Sequence, residues 1–241
     1  MAEQEVIKHT KKIYTTMKDH NTSFWHKLKE FLMEIFIIVF AVTISIWFHN
    51  WSEHLQEQRQ VREFLLGLRK DIQTDVAQAK DDVVGYQQFG QVYIWVSQFN
   101  TNRVPDKDSL HKALEVLNND ITFRTHRARF DGFLSAGKIM SIENDSLSFA
   151  ILNYYQETLQ ALKLSESGWI SQSGLLHSYI LENTKNVEDE MSQWQVLATP
   201  KGRFISKGLI PWPQLYERYQ HLINEGNSII QQIDNMYPGK K

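Results

Sequence analysis

The densest cluster of side chains able to bind a ligand lies in Ile121–Arg129, where Arg124, His126, Arg127 and Arg129 fall close together. Arginine forks recognise phosphate or carboxylate through paired N–H groups, which makes Arg124, Arg127 and Arg129 weak candidates for an anion site. The stronger reading is a solvated face, because Ile121 and Phe123 are the only large apolar residues of that run. Elsewhere the chemistry thins out. His49 and His54 are five apart, off the i, i+4 spacing that places two ligands on one helix face. Asp81 and Asp82 are adjacent and diverge on a helix. There is no Gly-rich phosphate loop, no His-Glu-x-x-His, no Gly-x-Ser-x-Gly and no EF-hand pattern. The complete lack of Cys excludes disulfides, zinc–thiolate sites and a Cys nucleophile. The sequence therefore assigns no catalytic residue, no metal ligand and no cofactor, and a non-enzyme is expected.

These groups hang on a chain organised around Phe31–Phe48, FLMEIFIIVFAVTISIWF, whose one charge is Glu34 near its start. As a helix this stretch would reach roughly 27 Å, close to the hydrocarbon thickness of a bilayer. Trp25 on one side and Trp47 and Trp51 on the other sit like interfacial aromatic belts, and Lys27 and Lys29 can extend their ammonium groups out of the near side. The competing reading, a buried helix of a soluble domain, rests on the shorter uninterrupted run Ile35–Phe48, which includes Thr43 and Ser45. A cleaved signal peptide fits poorly, since a long preamble precedes the stretch and Trp-Phe-His-Asn-Trp follows it in place of a small-residue cleavage site. Glu34, about one turn inside the interface, reads as solvated or partnered by another helix more readily than as a proton-handling group.

Lysine placement gives an expected orientation. Residues 1–30 carry Lys8, Lys11, Lys12, Lys18, Lys27 and Lys29, whereas residues 49–68 carry only Arg59 and Arg62. That bias favours a cytoplasmic N-terminus and a periplasmic C-terminal part, in a single-pass protein of the bacterial inner membrane. After position 49 there are 20 basic and 23 acidic residues, so no basic surface for nucleic acid is indicated.

In chain order, residues 1–23 read as a short mobile cytoplasmic tail and 24–49 as an interfacial start and transmembrane helix, with Asn21 or Ser23 as its cap. Residues 50–100 read as a long helical stalk without Pro. Leu65, Leu68, Ile72, Val76, Ala79, Val83, Tyr86, Gly90 and Tyr93 recur in steps of three and four, a coiled-coil-like seam. The seam can pack on later helices of the chain or on a second copy, and Leu65, Leu68 and Ile72 are the expected oligomer contacts. Residues 101–241 read as a helical domain packed with the distal stalk. Its elements are a short helix through Leu110, Leu114 and Leu117 capped by Asp106 or Asp108, then one with Phe130, Phe133 and Leu134 inward that ends at a left-handed Gly137. A helix through Leu147, Ile151, Tyr154, Thr158 and Leu162 follows, then one through Trp169, Ser173, Leu176 and Ile180. Next come a short helix through Val187, Met191 and Trp194 capped by Asn186, a loop over Thr199–Pro213, and a last helix from Pro213. The expected fold class is all-α.

Four features together carry a resemblance: Glu34 entering an apolar span, Asn50-Trp51 at its exit, Arg-x-Phe-Leu-x-x-Leu-x-x-Asp-Ile from Arg62 to Ile72, and Ser135-Ala136-Gly137-Lys138-Ile139 with Tyr154-Tyr155 downstream. In these the chain resembles an uncharacterised family of single-pass membrane proteins common in Bacteroidota. The likeness is clearest over about residues 30–75 and 128–157, and it implies an envelope address with no catalytic residues to carry over.

Two function classes follow as expectations. The first is an envelope scaffold or interaction protein whose partners are the lipid bilayer, copies of itself and other envelope proteins. The second is a sensor-like ligand-binding helical domain on the periplasmic side. A tail of about thirty residues holds no output module, which favours the first.

Overall fold

A computed structural model describes residues 24–100 and 103–238, without the side chains of Phe24 and Lys27. The expected tail 1–23, the candidate caps Asn21 and Ser23, and the side chain of Lys27 lie outside the described residues. Every regular element among those described is helical. The chain divides into two units, residues 1–60 and 61–241.

In the first unit, helix α1 (Phe24–Gln98) begins and carries the apolar stretch. It is long and apolar enough to cross a membrane, and its most apolar window is not buried at all. The hydroxyls of Thr43 and Ser45 donate one turn back to the carbonyls of Val39 and Ala41, at 2.7 and 2.8 Å, so neither needs an outside partner. Trp47 and Trp51 stack with ring centroids 6.1 Å apart, and Phe48 meets Trp51 edge-on.

In the second unit the distal part of α1 supplies one wall of the core. Val61, Leu65, Leu68, Ile72, Val76, Ala79, Tyr86, Tyr93 and Val96 are all buried, in the expected three-and-four rhythm. Among the described residues seven further α-helices follow in this unit: α2 (Lys107–Leu117), α3 (Ala128–Ser135), α4 (Asp145–Asn153), α5 (Leu159–Asn183), α6 (Glu190–Leu197), α7 (Pro200–Gly208) and α8 (Pro213–Met236). Trp169 on α5 anchors the middle of the core, with Tyr86, Phe89 and Tyr93 of α1 around it at 5.3, 5.6 and 6.1 Å. Its indole N–H donates to the carbonyl of Leu209 at 3.0 Å, which satisfies a buried donor. The approach of α8 to α1 requires Gly226, since a Cβ there would lie 2.6 Å from Val76 Cγ2.

One expectation is corrected by this packing. Leu65, Leu68 and Ile72, expected between copies, are fully buried in the chain's own core and are closed to a second copy. Asp75 is buried in the same stripe and bonds within the chain, a partnership the spacing does not show, so periodicity alone does not separate the two uses.

Three local differences have physical causes. The expected separate helices through Leu147–Leu162 and Trp169–Ile180 form one run, α4 and α5 joined by a single π turn, Tyr154–Thr158. The wider turn keeps Tyr154, Tyr155 and Thr158 all facing inward. The short helix expected from Asn186 begins at Glu190 instead, because Asp189 is the residue that accepts the Ser192 N–H, at 2.8 Å. The expected loop Thr199–Pro213 contains α7, whose Thr199 Oγ1 accepts from Gly202 N at 3.0 Å with Pro200 in the first turn, where a missing N–H costs nothing.

Helix α3 ends as expected. Gly137 has φ of 69°, in the left-handed region, and its N–H donates to the carbonyl of Leu134 at 2.9 Å before a 3-10 turn over Lys138–Ser141. A Cβ at Gly137 would meet nothing within 4 Å, so a side chain there is penalised through backbone strain alone. Gly137→Val is expected to cost about 1–2 kcal/mol, with Gly137→Asn costing less because Asn tolerates this region. Thermal melting of both variants checks the order, and a silent Gly137→Val would refute it.

Candidate functional site

Residues 119–127, which join α2 to α3, form no regular element, yet Phe123 within them is buried. Buried N–H and C=O groups need partners, and here side chains from other helices supply them. Tyr86 donates its hydroxyl to the carbonyl of Ile121 at 3.0 Å. Glu166 Oε1 accepts from Phe123 N at 3.0 Å. Gln78, with its amide turned to suit both atoms, accepts from Arg124 N at 3.0 Å and donates to Arg124 O at 3.1 Å. Asp75 accepts from His126 N at 3.0 Å.

Asp75 is the centre of this clamp. It is fully buried on α1 and also accepts from Thr125 Oγ1 at 2.8 Å and from His126 Nδ1 at 2.7 Å. A buried carboxylate is tolerated only when its lone pairs are filled, and these three donors fill them. The His126 side chain stays half-exposed. A carboxylate-oriented imidazole is an arrangement found at metal and acid–base sites. Among the described residues, however, no three His, Cys, Asp or Glu side chains gather to hold a metal. The arrangement also positions the segment, and that role accounts for every bond to Asp75.

The three arginines do not converge. Arg127 donates to Asp131 from Nε and Nη2 at 2.8 and 2.9 Å, and this pairing holds the Asp131 carboxyl below its usual range. Arg129 donates from Nε to Asp71 at 2.9 Å, its guanidinium lying where a Cβ on Gly67 would stand. Arg124 is exposed. Two of the three forks already hold carboxylates of the same chain, so the candidate anion site is not assembled.

A second polar cluster lies deeper. Glu166, on α5, is 2% exposed and accepts from the Tyr219 hydroxyl at 2.5 Å in addition to Phe123 N. Burial pushes the Glu166 carboxyl up, partly offset by those two donors. Burial likewise pushes up Asp82, which sits 3.5 Å from the same hydroxyl, and Tyr219 itself. A third link joins the π turn to α8, where Glu225 accepts from Asn153 Nδ2 at 2.8 Å and from the Thr158 hydroxyl. Next to that link the hydroxyls of Tyr154 and Tyr155 are buried without a protein partner.

Asp75, Glu166 and Glu225 were not singled out by sequence reasoning. For Glu166 a signal was present: it stands in the inward stripe of Leu162, Trp169 and Ser173, where a charge is out of place unless bonded. Of the other expected positions, Trp25, Trp47 and Trp51 are exposed at 75%, 61% and 49%, Lys29 is exposed, and Glu34 is partly covered within its helix.

The Glu166 cluster gives a pH-dependent prediction. A carboxyl whose folded pKa is raised binds more protons folded than unfolded, so it removes stability as pH rises from the unfolded value near 4.5 to the folded one, and the loss is constant above that. Glu166→Gln keeps an acceptor for Phe123 N and Tyr219 while removing the charge. The variant's melting temperature relative to wild type should therefore rise with pH through this window and then level off. A difference independent of pH would show that Glu166 is not held above its usual range. Glu166→Ala leaves both donors unpaired and should cost about 1–3 kcal/mol at every pH.

Comparison with known proteins adds a family and no activity. No curated protein and no solved structure matches the chain. Residues 34–168, more than half of the chain, match a family described as of unknown function, DUF6090, and the match takes in the apolar stretch from Glu34 onward, the Asp75 clamp and the π turn. The chain belongs to that family.

Proposed function

We propose that this protein is a single-pass membrane-anchored interaction protein of the bacterial envelope. Its N-terminus lies in the cytoplasm and its helical unit in the periplasm, where it assembles with copies of itself or with other envelope proteins and catalyses no reaction. The observation that carries the reading is the exposure of the apolar stretch. Phe36, Ile37, Val39, Phe40 and Ile46 each keep more than half of their surface uncovered, between tryptophans at both ends. Lipid is the solvent in which such a helix is stable. An interaction role is supported by the polar interior, where Tyr86, Glu166 and Asp75 are spent on holding the chain's own backbone.

Because the chain has no Cys, Thr10→Cys and Ser228→Cys can be introduced singly and probed in intact cells with an impermeant thiol reagent after the outer membrane is opened. Labelling is expected at position 228, which is exposed on α8, and not at position 10. The reverse pattern would overturn the topology. Crosslinking in native membranes is expected to yield a discrete complex with a copy of the chain or a second envelope protein. A chain that stays uncrosslinked and sediments as a monomer at every concentration would overturn the interaction role.

A further inference from the structure

The C-terminal half of α5 and the short helix α7 pack side by side and leave an open groove between them of about 710 Å³. The apolar part of its lining is Leu175 and Tyr179 from α5 and Phe204 and Ile205 from α7, with Gln172 and Ser178 beside them. Phe204 is 78% exposed and Leu175 is 59% exposed, although both stand on well-formed helices beside a filled core. Two cations flank this surface on α7. Lys201 holds its ammonium 4.9 Å from the Tyr179 ring centroid, and Lys207 lies at the helix end. No carboxylate of the described residues pairs with either lysine, and Glu182 is the one acid in the lining.

We infer that this groove is a docking site for an amphipathic helix of a partner protein, one that carries carboxylates beside its apolar stripe. The inference rests on the interaction role proposed above and specifies the surface and the chemistry of the partner. Three physical arguments select this occupant. A small apolar ligand is held when most of its surface is covered, and a groove whose walls are this exposed leaves much of a ligand wet. An added strand needs a sheet edge, and the described residues offer none. Two helices in contact, each with side chains one and two turns apart along the groove, offer the ridges between which a third helix seats. Charge then fixes the sign. Lys201 and Lys207 are about 9 Å apart along α7 at a helix's rise per residue, a span matched by acids about two turns apart on the incoming helix.

The test uses the full chain in lipid nanodiscs, with empty nanodiscs as control, and two synthetic helix-forming peptides as probes. Both peptides carry the same leucine stripe, flanked by Glu in one and by Lys in the other, and binding is read by fluorescence anisotropy. The Glu peptide should bind about tenfold or more tighter than the Lys peptide, and Phe204→Ala should weaken it by about tenfold, as for an aromatic anchor. The double variant Lys201→Glu with Lys207→Glu should reverse the preference. All three positions are on the surface, and unchanged circular dichroism and melting confirm that the variants fold. Equal binding of the two peptides, no binding of either, or indifference to Phe204→Ala overturns the inference. So does saturable, Phe204-dependent binding of laurate without peptide binding, which would make the groove an amphiphile site. In native membranes the same variants separate the two claims. If wild type and variants capture the same partner equally, the groove assignment fails and the interaction role stands; if wild type captures none, the role itself fails.

Discussion

The second unit depends on how Asp75 is satisfied. A fully buried carboxylate left without partners costs several kcal/mol, and a nine-residue segment lacking regular structure brings its own unpaired N–H and C=O groups into the same interior. Each deficit offsets the other. Asp75 takes the hydroxyl of Thr125 and both the backbone N–H and Nδ1 of His126, which gives that end of the segment its partners. Glu166, Tyr86 and Gln78 repeat the arrangement at Phe123, Ile121 and Arg124. The segment is held by helices α1 and α5 much as a strand would be held by its neighbours, with side chains standing in for a ladder.

That clamp also decides what the basic cluster can do. Thr125 and His126 are turned inward toward Asp75, and the arginines around them are placed by the same backbone path. Arg127 reaches Asp131 one turn along α3, while Arg129 reaches back across Gly67 to Asp71 on α1. These two forks are thus matched to carboxylates of the fold, and the partly exposed pairs orient α3 more than they stabilise it. A run of Arg and His reads the same in sequence whether its charges converge on a ligand or are distributed among acids far along the chain.

Most of the helical architecture was legible because it rests on local signals. The three-and-four stripe from Leu65 to Tyr93, the Asp106 cap, the left-handed Gly137 and the start of α8 at Pro213 all follow from side chains acting within a turn or two of themselves. What escaped depends on distance or on competition. Thr199 and Pro200 were read as loop formers, when a Pro one residue after a hydroxyl cap opens a helix as readily as it ends one. The π turn leaves no mark, since Tyr154, Tyr155 and Thr158 suit either register until Glu225 of α8 bonds to Asn153 and Thr158. The clamp was missed for the same reason: Asp75 and Thr125 are fifty positions apart, and nothing local pairs them. The seam residues were found, but the choice between the chain's own core and a second copy is made by later helices that periodicity does not see.

The apolar stretch poses the opposite problem, a surface with no internal partner at all. Thirteen large apolar side chains between Leu32 and Trp51 keep roughly half of their surface exposed. Covering a large apolar side chain fully is worth about 1.5–3 kcal/mol, so halving that leaves roughly 10–20 kcal/mol of uncompensated exposure. That equals or exceeds the whole stability of an ordinary domain, about 5–15 kcal/mol. A helix of this composition cannot stand bare in water, whereas its backbone groups are already satisfied along the helix and its two hydroxyls are bonded within it. Its cover must therefore be apolar and need offer no hydrogen bonds, and a bilayer meets both conditions. In the second unit Asp75 and Glu166 are committed to the chain's own backbone, whereas Phe204 and Leu175 stand bare on the outside of the bundle.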